Sequence, residues 1–295
     1  MTPLIVALPG NEALTARLAG ALGAEIGSAE FRRFPDDETY VRFRFDPSER
    51  AVVLVATLDR PDPKFLPLAF AAPNLRELGA NRVGLIAPYL AYMRQDRRFH
   101  AGEAISAPIF ARHLSDIVDW LVTADPHLHR IDALPKIYSI PARSVHAAPL
   151  LARWIKDEVK RPLLIGPDRE SAQWVSVVAE GAGAPFIVLE KQRHGDRDVE
   201  ISVPDVARWR QHTPVLVDDI ISTGRTMIQT LGHLNRAGMK PAVCAGVHAV
   251  FASGAYEGLS AAGASRIVTT NTIAHETNAI DVTDALSACA SELIG

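Results

Sequence analysis

Short runs of apolar residues alternate with stretches whose apolar positions recur every three or four residues, over almost the whole chain. Runs 4–8, 51–56, 82–87 and 120–123 read as buried strands in the first half. Runs 162–166, 185–189, 215–217, 242–250 and 266–270 do the same in the second. Leu14, Leu18 and Leu22 fall at four-residue spacing after a Pro9-Gly10-Asn11 turn, with Asn11 placed to cap the helix. Stretches 67–78, 150–155 and 172–181 predict further helices. Residues 31–45 alternate enough to predict a hairpin, broken by the acidic Pro35-Asp36-Asp37-Glu38. Strand and helix in this alternation mark an α/β protein whose central sheets are largely parallel and flanked by helices.

Length divides that pattern. At 295 residues the chain has room for two domains with their own cores, expected at 1–143 and 144–295, and the last helix is allowed to pack back on the first. Hydrophobic residues make up 48% and charged residues 22%, which excludes a disordered chain. A net charge of −3 supplies no bulk attraction to nucleic acid or a membrane surface. Cys244 and Cys289 are the only cysteines, so a disulfide framework and a cysteine zinc site are both excluded, and a reducing compartment fits. The first apolar run lacks a basic flank, and no run approaches the ~18 residues a membrane helix needs. A cytoplasmic protein with no nucleic-acid or membrane partner is expected.

The most informative stretch is 215–226, VLVDDIISTGRT. An apolar strand ends in Asp218 and Asp219, and a turn of Ser222, Thr223 and Gly224 opens a helix bearing Met227, Leu231 and Leu234, which Gly238 is placed to end. Unsatisfied N–H groups at a helix start carry the positive end of the macrodipole and suit a phosphate. Gly224 permits close backbone approach, and the hydroxyls of Ser222, Thr223 and Thr226 add donors. Carboxylates at the carboxyl end of a strand accept from vicinal hydroxyls. A terminal phosphate on one side and a diol on the other describe ribose 5-phosphate. A capped strand–helix turn is the plainer reading of the same residues.

Four other polar clusters close strands or fill loops. Phe34 with Asp36 and Glu38 offers a stacking face and acceptors for an amino group, although alone it reads as a solvated hairpin loop. Residues 88–106 carry Arg94, Arg97, Arg98 and His100, and read equally as a polyphosphate clamp or a charged surface loop. His127 and His129 follow a strand end at a spacing poor for zinc. Lys191 and Arg193 begin a polar run where loop cations could neutralise a reacting phosphoryl group.

These clusters, in this order, resemble the ribose-phosphate pyrophosphokinase family in its compact archaeal-like form. The resemblance runs from GNEALTARLA through FPDDETYVRF, PYLAYMRQDRR, ADPHLH, GPDRES and EKQR to VDDIISTGRT and TTNTI. It implies two type I phosphoribosyltransferase-like domains and transfer of the diphosphoryl group of MgATP to the anomeric hydroxyl of ribose 5-phosphate. Carried onto this chain, it implies ATP binding by Phe34, Asp36, Glu38, Arg94, Gln95 and Arg97. Magnesium falls to His127 and Asp168, and catalysis to Lys191, Arg193 and His127. Ribose 5-phosphate falls to Asp218, Asp219, Ser222, Thr223, Gly224 and Thr226. The family also implies a homodimer or larger homo-oligomer, because the hairpin residues often serve a neighbouring subunit's nucleotide. Pro126, Arg169-Glu170-Ser171 and Arg225 depart from the common bacterial pattern. A phosphoribosyltransferase and a non-catalytic regulatory homologue are the alternatives. The combined presence of Arg94, Gln95, His127 and Lys191 speaks against the first.

Overall fold

The computed structural model describes residues 1–128, 130–167, 171–194, 198–202 and 206–295, with the backbone alone described at 190–194, 198–202 and 207. The chain divides into two compact units. The first comprises Met1–His146, Thr272–Ala274 and Val282–Gly295, the second Ala147–Asn271 and His275–Asp281.

In chain order the first unit contains β1 (Leu4–Ala7), α1 (Glu12–Leu22), β2 (Glu25–Ile26), β3 (Ala29–Arg33), β4 (Thr39–Phe43), β5 (Ala51–Val55) and α2 (Asp62–Glu77). Then come β6 (Arg82–Ala87), α3 (Ser106–Ile117), β7 (Trp120–Ala124) and β8 (Ala142–Val145). Six strands form one parallel sheet in the order β2-β1-β5-β6-β7-β8. Its central strands are covered on both faces, which is why they read as continuous apolar runs and not as alternation. Strands β3 and β4 pair antiparallel as the expected hairpin, with Phe34 to Glu38 at its tip.

Two local expectations change. Helix α2 begins five residues before Pro67 and contains both Pro67 and Pro73. Proline favours a helix start in sequence, but burial of Leu68, Ala71, Ala72 and Leu75 along one face holds the longer helix despite its missing donors. Asn11 does precede α1, but its side chain makes no cap. Its amide donates to the carbonyls of Leu8 and Pro9, and its Oδ1 accepts the Thr57 N–H at 2.8 Å, fastening the turn after β1 to the end of β5.

The second unit contains α4 (Ala148–Glu158), β9 (Pro162–Gly166), α5 (Ala172–Ala182), β10 (Phe186–Val188), β11 (Glu190–His194), β12 (Asp198–Ser202) and β13 (Thr213–Ile220). It continues through α6 (Arg225–Arg236), β14 (Val243–His248), α7 (Ala255–Ala261), β15 (Arg266–Thr270) and β16 (Asn278–Ile280). Its parallel sheet has the order β10-β9-β13-β14-β15-β16. Place for place this is the topology of the first sheet. Helix α4 packs on α5, and in the first unit the matching place on α1 is taken by the terminal helix α8 (Thr283–Ile294). The run after β10, read as a loop in sequence, forms the antiparallel ribbon β11–β12.

Close packing leaves one clear lesion. Gly84 of β6 lies in register with Trp120 of β7, and a Cβ there would stand 1.9 Å from the buried indole. Gly84→Ala is expected to lose about 1–3 kcal/mol of unfolding free energy, as overpacked cores do. Gly20→Ala, inside α1 with open space around its Cβ, should instead gain about 0.5–1 kcal/mol. Urea midpoints of the two variants check this, and a Gly84→Ala midpoint equal to wild type would show that the indole yields.

Candidate functional site

In the second unit, β13 delivers a pair of carboxylates from a dry core. Val215 and Val217 are fully buried, whereas Asp218 and Asp219, next to the end of the strand, are half-buried. The Asp219 N–H donates to Asp218 Oδ1 at 3.0 Å. The chain then leaves the sheet through three backbone bonds to the loop after β14. The Ile221 N–H donates to the His248 carbonyl, Phe251 N–H to the Ile221 carbonyl, and Ala252 N–H to the Ser222 carbonyl, at 2.9 to 3.0 Å.

Gly224 sits before α6 at φ 64°, a left-handed conformation that glycine adopts without strain. Its missing Cβ also matters, because one would lie 3.3 Å from Leu259 of α7. Helix α6 has no side-chain cap and no acid in its first turn. The N–H groups of residues 223–227 meet no acceptor among the described residues, and the hydroxyls of Ser222, Thr223 and Thr226 donate to none. The result is a helix start with its donors open beside two carboxylates. At the other end Gly238, at φ 69°, donates to the Asn235 carbonyl and stops the helix as expected.

Gly246 was not singled out in sequence. It faces Asp218 across the β13–β14 ladder, and a Cβ on it would lie 2.7 Å from Ile221 Cγ1. A lone glycine in an apolar strand run is the signal that could have found it. Lys191 and Arg193 lie on β11, in register with Ile201 and Val199 of β12. Asp168, with Arg169, Glu170 and His129, lies outside the described residues.

In the first unit, Phe34, Asp36 and Glu38 are exposed together at the hairpin tip. Phe34 meets Tyr40 edge-on at 5.6 Å, and the Arg32 guanidinium stands 4.7 Å from the Phe34 ring and 4.0 Å from Tyr40. Strand alternation alone accounts for Arg32 and Tyr40 in sequence, so their stacking is visible only in the fold.

The loop after β6 is self-braced. Buried Met93 anchors it, the Ala107 N–H donates to the Gln95 carbonyl, and the Ser106 hydroxyl donates to Gln95 Oε1. Glu103 accepts the N–H groups of Phe99 and His100, and Arg97 stacks 4.7 Å from Phe99. Arg94, Gln95 and Arg97 remain exposed. His127 is half-buried just beyond β7. Two residues earlier, Asp125 Oδ1 meets His146 Nδ1 at 3.2 Å.

Residues 4–117 match the model of the N-terminal domain of ribose phosphate pyrophosphokinase, and residues 135–285 match the phosphoribosyl transferase domain. The chain is 34% identical over 275 residues to a ribose-phosphate pyrophosphokinase of Saccharolobus solfataricus, covering 92% of this chain and 93% of that one. The chain belongs to the ribose-phosphate pyrophosphokinase family. A second family member, from Methanopyrus kandleri, is 34% identical over 295 residues and is covered completely. The fold is also that of the crystal structure of phosphoribosylpyrophosphate synthetase from Mycobacterium smegmatis, with a TM-score of 0.85 over 99% of both chains at 22% identity. Both units of this family member are thus phosphoribosyltransferase-like, as the strand orders already indicate.

The hydrogen bond His146 donates to Asp125 is the main reason its imidazole is raised above its ordinary pKa; burial opposes this, and the charge of Asp125 adds to it. The charged pair therefore stabilises fully below about pH 6.5, the unfolded value, and the contribution fades as pH rises through the higher folded value. An NMR titration should place the His146 midpoint above 6.5, the ordinary value, and Asp125→Asn should bring it down. An unmoved midpoint in that variant would remove Asp125 as the cause.

Proposed function

We propose that this chain transfers the β,γ-diphosphoryl group of MgATP to the anomeric hydroxyl of ribose 5-phosphate, giving 5-phosphoribosyl 1-pyrophosphate and AMP. The observation that carries the reading is the open start of α6 beside Asp218 and Asp219, in a chain whose family is ribose-phosphate pyrophosphokinase. The sugar's 5-phosphate takes the N–H groups of 223–227 and the hydroxyls of Ser222, Thr223 and Thr226. Asp218 and Asp219 accept from the ribose hydroxyls. Phe34, Asp36 and Glu38 serve the adenine, and Arg94, Gln95 and Arg97 the phosphates.

The anomeric oxygen attacks the β-phosphorus in line. The bond from that phosphorus to the oxygen bridging the α- and β-phosphates breaks, AMP departs with the electron pair, and the hydroxyl proton passes to solvent. Positioning and charge neutralisation carry most of the acceleration in such transfers. Lys191 and Arg193 neutralise charge on the phosphoryl group. His127 and Asp168 are the residues that would hold magnesium, which supplies charge neutralisation on the phosphates. A carboxylate suits this hard cation, and an ion that keeps much of its hydration shell needs few protein ligands.

No described helix is long and apolar enough to cross a membrane. The low net charge supplies no bulk attraction to nucleic acid or a membrane surface, and we place the enzyme in the cytoplasm with neither as partner. A homodimer or larger assembly follows if the hairpin residues serve a neighbouring subunit. The match at 4–117 favours this reading over a phosphoribosyltransferase that consumes the pyrophosphate compound.

Release of AMP from ATP, measured with and without ribose 5-phosphate and magnesium, tests the proposal. Formation that requires both is expected, and absence of ribose-dependent AMP refutes it. Lys191→Ala should lower turnover by about 100-fold or more while leaving ribose 5-phosphate affinity nearly unchanged, since the role is electrostatic. Near-normal turnover would reassign that lysine.

A further inference from the structure

Asp96 sits between Gln95 and Arg97 in the loop after β6, and Arg130 lies in the loop after β7. Asp96 Oδ2 accepts the Arg130 backbone N–H at 3.0 Å, and Oδ1 accepts Arg130 Nη1 at 3.2 Å. The Asp96 side chain is only 4% exposed, although Arg94, Gln95, Arg97 and Arg98 around it are all exposed. Burial opposes its charge, but the hydrogen bonds and charge of Arg130 outweigh that and hold its pKa below the ordinary carboxylate value. With both oxygens engaged and almost no surface, this carboxylate is placed to bind protein and not substrate. A buried carboxylate stripped of its partner is costly, so the pairing strongly constrains where the two loops stand. The Ala124 N–H to Pro88 carbonyl bond, 3.3 Å, ties the same two strand ends at their base.

We infer that Asp96 is a positioning residue, which with Arg130 fixes the spacing between the Arg94–Gln95–Arg97 loop and the His127 loop so that both address one triphosphate. The inference rests on the reaction proposed above. Neither Asp96 nor Arg130 touches nucleotide in this scheme. Their influence passes through the arginines on one side and the histidine on the other.

Steady-state AMP release by the full chain, with ATP and ribose 5-phosphate varied separately, tests it in Asp96→Ala, Arg130→Ala, Arg130→Lys and the double alanine variant. Asp96→Ala is expected to raise KM for ATP about tenfold and to lower kcat, as small misplacements do, with KM for ribose 5-phosphate within about twofold. The double variant should be no worse than the worse single one, because the pair acts as a unit. Arg130→Lys, which keeps the backbone donor and a cation, should recover part of the loss. A staple with only a structural role would instead lower the melting temperature and the active fraction while leaving KM for ATP unchanged. Normal ATP kinetics in folded Asp96→Ala, or additive losses in the double variant, overturn the inference and leave the proposed reaction standing. If Asp96→Ala does not fold, Arg130→Ala, which retains the backbone bond, decides by the same criteria. Wild-type protein that releases no AMP overturns the reaction itself, and the inference with it.

Discussion

A missing side chain at Gly246 sets the geometry on which the turn proposed to hold the sugar phosphate depends. Gly246 lies across the ladder from Asp218, and Ile221 occupies the space that a Cβ would take. Ile221 is 1% exposed and is bonded through its N–H to His248 and through its carbonyl to Phe251. The residue just after the strand is therefore fixed by sheet packing on one side and backbone bonds on the other. Ser222 to Thr226 follow from that fixed point, so the direction in which α6 opens is decided before any ligand arrives. This is preorganisation in a simple form: donors are held in place by apolar packing, and binding does not have to order them.

The two sheets share one strand order, yet the corresponding places have diverged in chemistry. In the second unit the third strand in sequence ends in carboxylates and an open helix start. In the first, the end of β5 is filled by its own side chains. Lys64 Nζ donates to the Thr57 carbonyl at 3.0 Å and pairs with Asp59, and the Thr57 hydroxyl donates to the Thr272 carbonyl. Helix α2 also carries Asp62 in its first turn, which repels an anion that the dipole would otherwise attract. Between the second and third strands each unit inserts an antiparallel pair, β3–β4 in one and β11–β12 in the other. One architecture thus offers a closed, self-satisfied turn with an aromatic hairpin, and an open turn with a polar ribbon whose sequence includes Lys191 and Arg193.

Much of this was legible because parallel strands buried on both faces leave unbroken apolar runs, and the run at 162–166 coincides with β9. The 215–226 stretch was legible for a second reason: its apolar run, glycine and following apolar spacing fall in the order strand, turn and helix that the chain adopts. Legibility failed where the deciding contact is distant in sequence. Asn11 looks like a cap but bonds Thr57, 46 residues away, and Asp96 finds Arg130 across 34 residues. Pro67 misled because local propensity marks a start while the apolar face of α2 continues through it. Strands of two or three residues, β2 and β16 among them, are too short to show any period. The ribbon β11–β12 is polar along β11 and so gave no apolar signal. Gly246 was visible as a letter, but its reason lay on the neighbouring strand.

Among the described residues seven non-glycine positions take positive φ, and three of them follow strands that lead toward the proposed site. Bulky non-glycine residues take positive φ after β6 at Tyr92 (64°), after β7 at Asp125 (31°) and after β14 at Phe251 (25°). Each such conformation costs on the order of 1–3 kcal/mol and persists only where the surroundings over-determine it. The surroundings are identifiable. The Tyr92 ring packs 4.8 Å from Phe110, and its carbonyl takes the Gln95 N–H. The Asp125 N–H donates to the Val145 carbonyl while its carboxylate holds His146. Phe251 donates to Ile221, and its ring lies 4.7 Å from His275. Tyr92 and Asp125 turn the chain from a buried strand toward the loop bearing the polar groups, and Phe251 shapes the neighbouring loop whose Ala252 N–H holds the Ser222 carbonyl. A relaxed backbone there would carry Arg94, His127 or Ser222 elsewhere, so the local cost is the consequence of aiming side chains that local preference alone would not place.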